Sequence, residues 1–309
     1  MAYSRAKSHN LRGSSRYGKK KRGGVRRRSY GRKRTYRKKG LSKKMILNLT
    51  ARKKRDTMMP YTNITALSQQ GGAGFLNDAA IINGGYAVPN AILWCATGRL
   101  PQATDQSTSP AAPIYDASRT ASNVFMRGLS ETVQIQVSDG IPWQWRRICF
   151  TFKGINAAMP KLDTSNWSLT KQNANGYQRA IMQVPNNTYR DTLENLLFKG
   201  AKFRDWTDAM TASLDNSRVT VKYDKTRTIA SGNEDGCIRK YKLWHPMNKT
   251  LAYDDDESGG GIDTQSFSVQ SKVGMGDYLV ADFFLPRTGS TSSNKLSFAV
   301  TSSLYWHEK

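Results

Sequence analysis

Cysteine is scarce in this chain of 309 residues. Cys95, Cys149 and Cys237 are odd in number and far apart, and no C-x-x-C pair occurs. That argues against a disulfide framework or a zinc site and suits a reducing compartment. No apolar run of membrane-spanning length is present, and charges stand where a secretory signal would need an apolar stretch. The expectation is a soluble protein, made inside a cell, that does not insert into membranes. Catalytic signatures are also missing. The three histidines are His9, His245 and His307, and there is no H-E-x-x-H, G-x-S-x-G or G-x-x-x-x-G-K-[ST]. We therefore expect neither an enzyme nor a cofactor or metal.

The most informative absence is acid at the start of the chain. No Asp or Glu precedes Asp56, whereas 23 of the 48 Lys and Arg residues do. The remainder holds 25 basic residues against all 23 acidic ones, so the net charge of +25 belongs almost entirely to the first 55 residues. Between Ser4 and Lys44 the only sizeable aliphatic side chains are Leu11, Val25 and Leu41. So little apolar surface cannot offset an ordering cost of roughly 1–2 kcal/mol per residue. Residues 1–55 are expected to be a disordered arm, and residues 56–309 the folded domain. The boundary falls between Met45 and Pro60, where Ile46 to Thr50 could already pair with the domain.

A polycation without an apolar face suits nucleic acid better than a membrane surface. The residues expected to neutralise phosphates are Arg16, Lys19, Lys20, Lys21, Arg22, Arg26, Arg27, Arg28, Arg32, Lys33, Arg34, Arg37, Lys38, Lys39, Lys43, Lys44, Arg52, Lys53, Lys54 and Arg55. The clusters from Lys19 to Arg34 (Lys19, Lys20, Lys21, Arg22, Arg26, Arg27, Arg28, Arg32, Lys33, Arg34) also read as signals for nuclear import receptors. Tyr3, Tyr17, Tyr30 and Tyr36 are either stacking groups for unpaired bases or spacers.

After Asp56 the pattern is that of strands. Leu296, Phe298, Val300, Leu304 and Trp306 share one parity, broken only by Ser302, while Lys295, Ser297, Thr301, Ser303 and His307 take the other. Such alternation marks a strand with one buried and one wet face. Further strands are expected at Tyr61–Leu67, Ala91–Cys95, Thr132–Val137, Trp143–Lys153, Tyr177–Val184, Arg218–Ile229, Ile238–His245 and Tyr278–Leu285. Long loops separate them, with Pro101–Pro113 and Leu251–Asp263 the natural exposed ones. One helix is expected, with Asp191 as N-cap, Glu194 closing a capping box, a Leu193/Leu196/Leu197 stripe and Gly200 as stop. The fold class is all-β, a single jelly-roll sandwich with about one short helix.

The Gly- and Tyr-punctuated basic arm, followed by Leu47-Asn48-Leu49-Thr50-Ala51-Arg52-Lys53-Lys54-Arg55-Asp56-Thr57-Met58 and a β-rich domain, resembles genomovirus capsid proteins. The ending Leu304-Tyr305-Trp306-His307-Glu308-Lys309 is similar to that family's as well. The resemblance implies a jelly roll assembling into a small icosahedral virion around circular single-stranded DNA. It also implies an arm inside the shell and replication in the host cell nucleus. About 60 such subunits would carry on the order of 1,400 arm charges, enough to neutralise roughly one to two thousand nucleotides.

Within the domain, Trp143 and Trp145 near Arg146 and Arg147 could stack on single strands, but packing between sheets or subunits is the expected role. Lys240, Lys242 and Trp244, opposite Arg239, Tyr241 and Leu243, raise the same question of DNA contact. The only acidic run, Asp254-Asp255-Asp256-Glu257, lacks a calcium-loop pattern and is expected on the surface or against a neighbouring subunit. The rival to a capsid subunit is a cellular nucleic-acid-binding protein, ribosomal or chromatin-like, with a basic tail. A near-neutral β domain of this size argues for the shell.

Overall fold

A computed structural model describes residues 42–107, 109–160, 166–185 and 188–309, and leaves the side chains of Lys43 and Lys44 undescribed. Eight strands form its body: β1 (Arg52–Met58), β2 (Asn90–Cys95), β3 (Asn123–Val137), β4 (Trp143–Phe152), β5 (Thr220–Ile229), β6 (Cys237–Ala252), β7 (Asp277–Pro286) and β8 (Lys295–Glu308). One sheet runs β1-β8-β3-β6, with the short strand Ala80–Asn83 added against β8; the other runs β2-β7-β4-β5. The pairings are nested, with β1 on β8, β2 on β7, β3 on β6 and β4 on β5, and all are antiparallel. The all-β expectation holds. The candidate Tyr61–Leu67 shrinks to Pro60–Thr62, which pairs in parallel with Gly176–Ile181.

Periodicity explains most of the packing. Leu296, Phe298, Val300, Leu304 and Trp306 of β8 are buried, as the alternation requires. Strands β2 and β7 are buried along almost their whole length, because residues 188–212 cover their second face, with Phe283 packed against Phe198 and beneath Arg190. Trp143 and Trp145 are fully buried. Trp145 packs against Phe284 of its own sheet and against Tyr241 and Phe298 of the opposite one, at ring-centre distances of 5.4–6.4 Å. Each such aromatic contributes on the order of 2 kcal/mol by leaving water. Stacking on DNA is thereby closed to these two tryptophans.

Three helices appear among the described residues: α1 (Lys43–Thr50), α2 (Ile155–Ala158) and α3 (Thr188–Leu197). The expected helix is α3, but it begins three residues before Asp191, which sits in its first turn rather than at its cap. Glu194 forms no capping box. It is buried and accepts hydrogen bonds from Arg190 (2.5 Å) and Lys202 (2.7 Å). Past the helix, Gly200 holds φ 84°, and a Cβ there would collide with the Asp205 side chain.

The loop expected from Leu251 is shorter than its sequence suggested. Leu251 and Ala252 end β6 and, with Tyr253, are buried; Asp256–Ser258 and Gly261–Asp263 form an exposed hairpin. Asp255 turns inward to a two-pronged pair with Arg119 (2.5 and 3.1 Å), so the acidic run is only partly on the surface.

Between the sheets lies a feature the periodicity did not announce. Glu131 of β3 and Asp282 of β7 each face both Arg147 of β4 and Arg179, and all four side chains are fully buried. The contacts range from 2.5 to 3.1 Å. Ser302 of β8 donates to Glu131 (2.9 Å), and the Trp145 indole donates to Asp282 (2.8 Å). Two negative and two positive groups alternate, so no net charge is buried. Burial would push the Glu131 carboxyl up, but Arg147, Arg179, His245 and Ser302 together hold it down at about 2. Removing one member strands a buried charge, which typically costs about 3–5 kcal/mol. We expect Glu131→Ala to lower the unfolding free energy measured in denaturant by that amount, whereas an exposed change such as Glu257→Ala alters it by less than about 0.5 kcal/mol.

Candidate nucleic-acid interface

Arg16, Lys19, Lys20, Lys21, Arg22, Arg26, Arg27, Arg28, Arg32, Lys33, Arg34, Arg37, Lys38 and Lys39, and the arm tyrosines, lie outside the described residues. Lys43 and Lys44 open α1, with side chains not described. The last basic cluster belongs to the folded domain. Arg52–Arg55 are not arm but the first strand of a sheet, in register from Arg52 opposite Glu308 to Arg55 opposite Tyr305. The folded domain therefore starts before Asp56.

Strand geometry splits this cluster. Successive side chains point to opposite faces, so Lys53 and Arg55 are exposed while Lys54 and Asp56 point inward. Lys54 is buried, donates to the Ser118 carbonyl (2.6 Å) and lies 3.3 Å from the buried Glu308 carboxylate. It is withdrawn from the phosphate-binding set, because a buried ammonium committed to these partners cannot reach a nucleic-acid backbone. Asp56 pairs with buried Arg99 (3.0 Å), whose guanidinium also lies over Trp306. Arg52 stays exposed with one donor on the Pro113 carbonyl.

Outward from the same sheet a cationic surface forms. Lys53 and Arg55 on β1, Arg127 on β3, and Lys240 and Lys242 on β6 are all exposed. The three acids of these four strands, Asp56, Glu131 and Glu308, are all buried. Lys240, Lys242 and Trp244, and Arg55 of the last basic cluster, were candidates from the sequence; the fold adds Tyr305, Phe125 and His307. Arg55 lies over Tyr305 (5.5 Å), Tyr305 meets Trp244 edge-on (5.9 Å), and Phe125 approaches His307 (6.1 Å). Partial burial, with Arg127 and Lys53 alongside, lowers the His307 pKa. By contrast Arg146 is buried against Asp224 and the Ala209 and Ala212 carbonyls, and Arg147 belongs to the ion-pair quartet.

A second constellation carries chemistry-bearing atoms but is closed to solvent. Cys149 Sγ lies 3.8 Å from His245 Nδ1, and His245 Nε2 lies 3.7 Å from Glu131. Burial pushes the Cys149 thiol up, opposite to what a nucleophile needs. Burial also holds His245 down at about 4, against the pull of Glu131, so at neutral pH the contact is not an ion pair.

No family model matches the chain, and comparison with curated proteins returns no match. No helix among the described residues is long and apolar enough to cross a membrane.

Lys54→Ala should destabilise the domain by about 3 kcal/mol through the unpaired Glu308, with no change in the salt slope of DNA binding. Lys53→Ala should leave unfolding unchanged and reduce that slope by about 1 if this face meets phosphates. Between pH 6.5 and about 4 the unfolded chain protonates His245 and the folded chain does not, so stability falls on acidification. Asp277, raised by burial to about 6 despite hydrogen bonds from Ser268 and Thr97, acts oppositely between pH 6 and 3.8. His245→Gln should therefore be more stable at pH 5 than at pH 7, by on the order of 1 kcal/mol in denaturant unfolding.

Proposed function

We propose that this chain is the subunit of a small icosahedral viral shell that packages circular single-stranded DNA through its basic N-terminal arm. The nested pairing of eight antiparallel strands into two four-stranded sheets carries the proposal. That winding is how a jelly roll is built, a fold shared by viral capsids, lectins and cupins. The charge distribution selects among those: 23 cations precede the first acid, and the rest of the chain is nearly neutral. The folded domain from Arg52 onward holds 29 basic and 23 acidic residues, a net of only +6, so it can pack against copies of itself while the arm condenses a polyanion. Exposed apolar side chains on the loops, such as Leu67, Ile114, Phe203 and Val273, supply contact area for such neighbours. The resemblance to genomovirus capsid proteins points the same way, and the Lys19–Arg34 clusters would engage nuclear import receptors of the host.

Purified protein should form uniform closed particles by electron microscopy, with about 60 copies in each by mass measurement as the resemblance implies. Monomers at every salt and pH, with single-stranded DNA present, would remove this reading. Deleting residues 1–42 should leave the β domain folded by circular dichroism and abolish nuclease-protected DNA. Undiminished protection would refute the arm's role.

A further inference from the structure

We propose that the outward face of the β1-β8-β3-β6 sheet is a second nucleic-acid site, one that stacks the unpaired bases of a single strand on Trp244 and Tyr305 while Arg55, Lys53 and Lys242 hold its phosphates. The arm offers charge; this face offers a fixed platform. It deepens the packaging reading and takes its ligand class from it, but its residues belong to the folded domain alone.

Three observations carry the assignment. The first is segregation by sign, since every acid of the four strands points inward and five cations point outward. Lys53, Arg55, Lys240 and Lys242 have no acidic partner among the described residues. The second is the exposure of one tryptophan. Of the seven in the chain, six are buried, and Trp244 is 51% exposed. An indole costs free energy in water, and its placement among cations is the composition of single-strand binding surfaces. The third is a glycine that makes room for it. Gly128 lies between β6 and β8, opposite Pro246 and Tyr305, and a Cβ there would come within 2.7 Å of the Trp244 ring. The ring thus crosses β3 at Gly128 to meet Tyr305, and Arg55 continues the row onto β1. The row crosses three strand spacings, about 14 Å.

The centre of this face carries Ser130, Thr132, Gln134 and Thr301, uncharged polar side chains, while the Ser303 hydroxyl beside them is buried against Thr57 (2.9 Å). At one end α1 leans over the sheet, leaving a cleft of about 670 Å³ bordered by Met45, Leu47, Phe125, Arg127 and His307. A duplex would hide its bases from Trp244, so the platform discriminates for unpaired strands.

The exposed tryptophan supplies its own readout. Full-length protein is titrated with a dT oligonucleotide, an abasic strand of the same length and a duplex, while tryptophan emission and acrylamide quenching are recorded and particles are imaged in the same samples. The dT strand should quench the accessible emission and shield it from acrylamide, whereas the abasic strand and the duplex should bind without doing so. Trp244→Ala should abolish the signal and weaken dT binding about threefold to tenfold relative to the abasic strand, as expected for loss of one stacked base. Arg55→Ala with Lys242→Ala should reduce binding of both strands. Equal responses to dT and abasic strands would overturn the site. So would shielding of Trp244 on raising protein concentration without nucleic acid, which would make this face a contact between copies. Particle images score the shell separately, so either idea can fail alone.

Discussion

The alternating quartet of Glu131, Arg147, Asp282 and Arg179 is the constraint on which the rest of the sandwich hangs. Apolar faces attract without direction and tolerate sliding by a fraction of a residue. Charge-assisted bonds of 2.5–3.1 Å do not, because a displacement of 1 Å breaks them and leaves a buried charge unpaired. Glu131 comes from one sheet, Arg147 and Asp282 from the other, and Arg179 from the short strand Gly176–Ile181. Ser302 and the Trp145 indole tie β8 and the aromatic core into the same network. The quartet therefore sets how the two sheets face each other.

With the inward side committed to that network, the outward side of the first sheet has its own character. Strand alternation sends Lys54 and Asp56 into the domain and Lys53 and Arg55 out of it, so four adjacent residues of one basic run and its following acid divide between structure and surface. Lys54 and Glu308, with Asp56 and Arg99, anchor the first strand to the last. The outer face keeps the cations that have no such duty. A proposed shell gains from this economy, because the strand that follows the arm is also the strand that presents Arg55 beside Tyr305.

Much of the fold was legible beforehand. The period of two in β8 named its buried side chains, and the apolar stretches around Trp143 and Tyr278 located two more strands within a residue, whereas Ile238–His245 marked only the first half of β6. The signal failed where a side chain's role depends on its partner. Glu131 shares the parity of Val133 and Ile135, and Asp282 interrupts the apolar run from Tyr278 to Leu285, so each was visible as an oddity. Neither announced its counter-charge, because Arg147 and Arg179 are brought near by pairings between distant segments. At α3, Glu194 pairs with Arg190 and Lys202, four and eight residues away, instead of closing a cap at Asp191.

Charge asymmetry along the chain and alternation within its strands are local properties, and both could be read before any coordinates. They located a cationic segment and an all-β domain, since conformational entropy and apolar burial act on each stretch as it stands. The fate of individual charged and aromatic residues is not local. Lys54 became structural, Trp145 became core and Trp244 became surface because register and sheet order assigned each a neighbour, and those assignments exist only once strands far apart in sequence have paired.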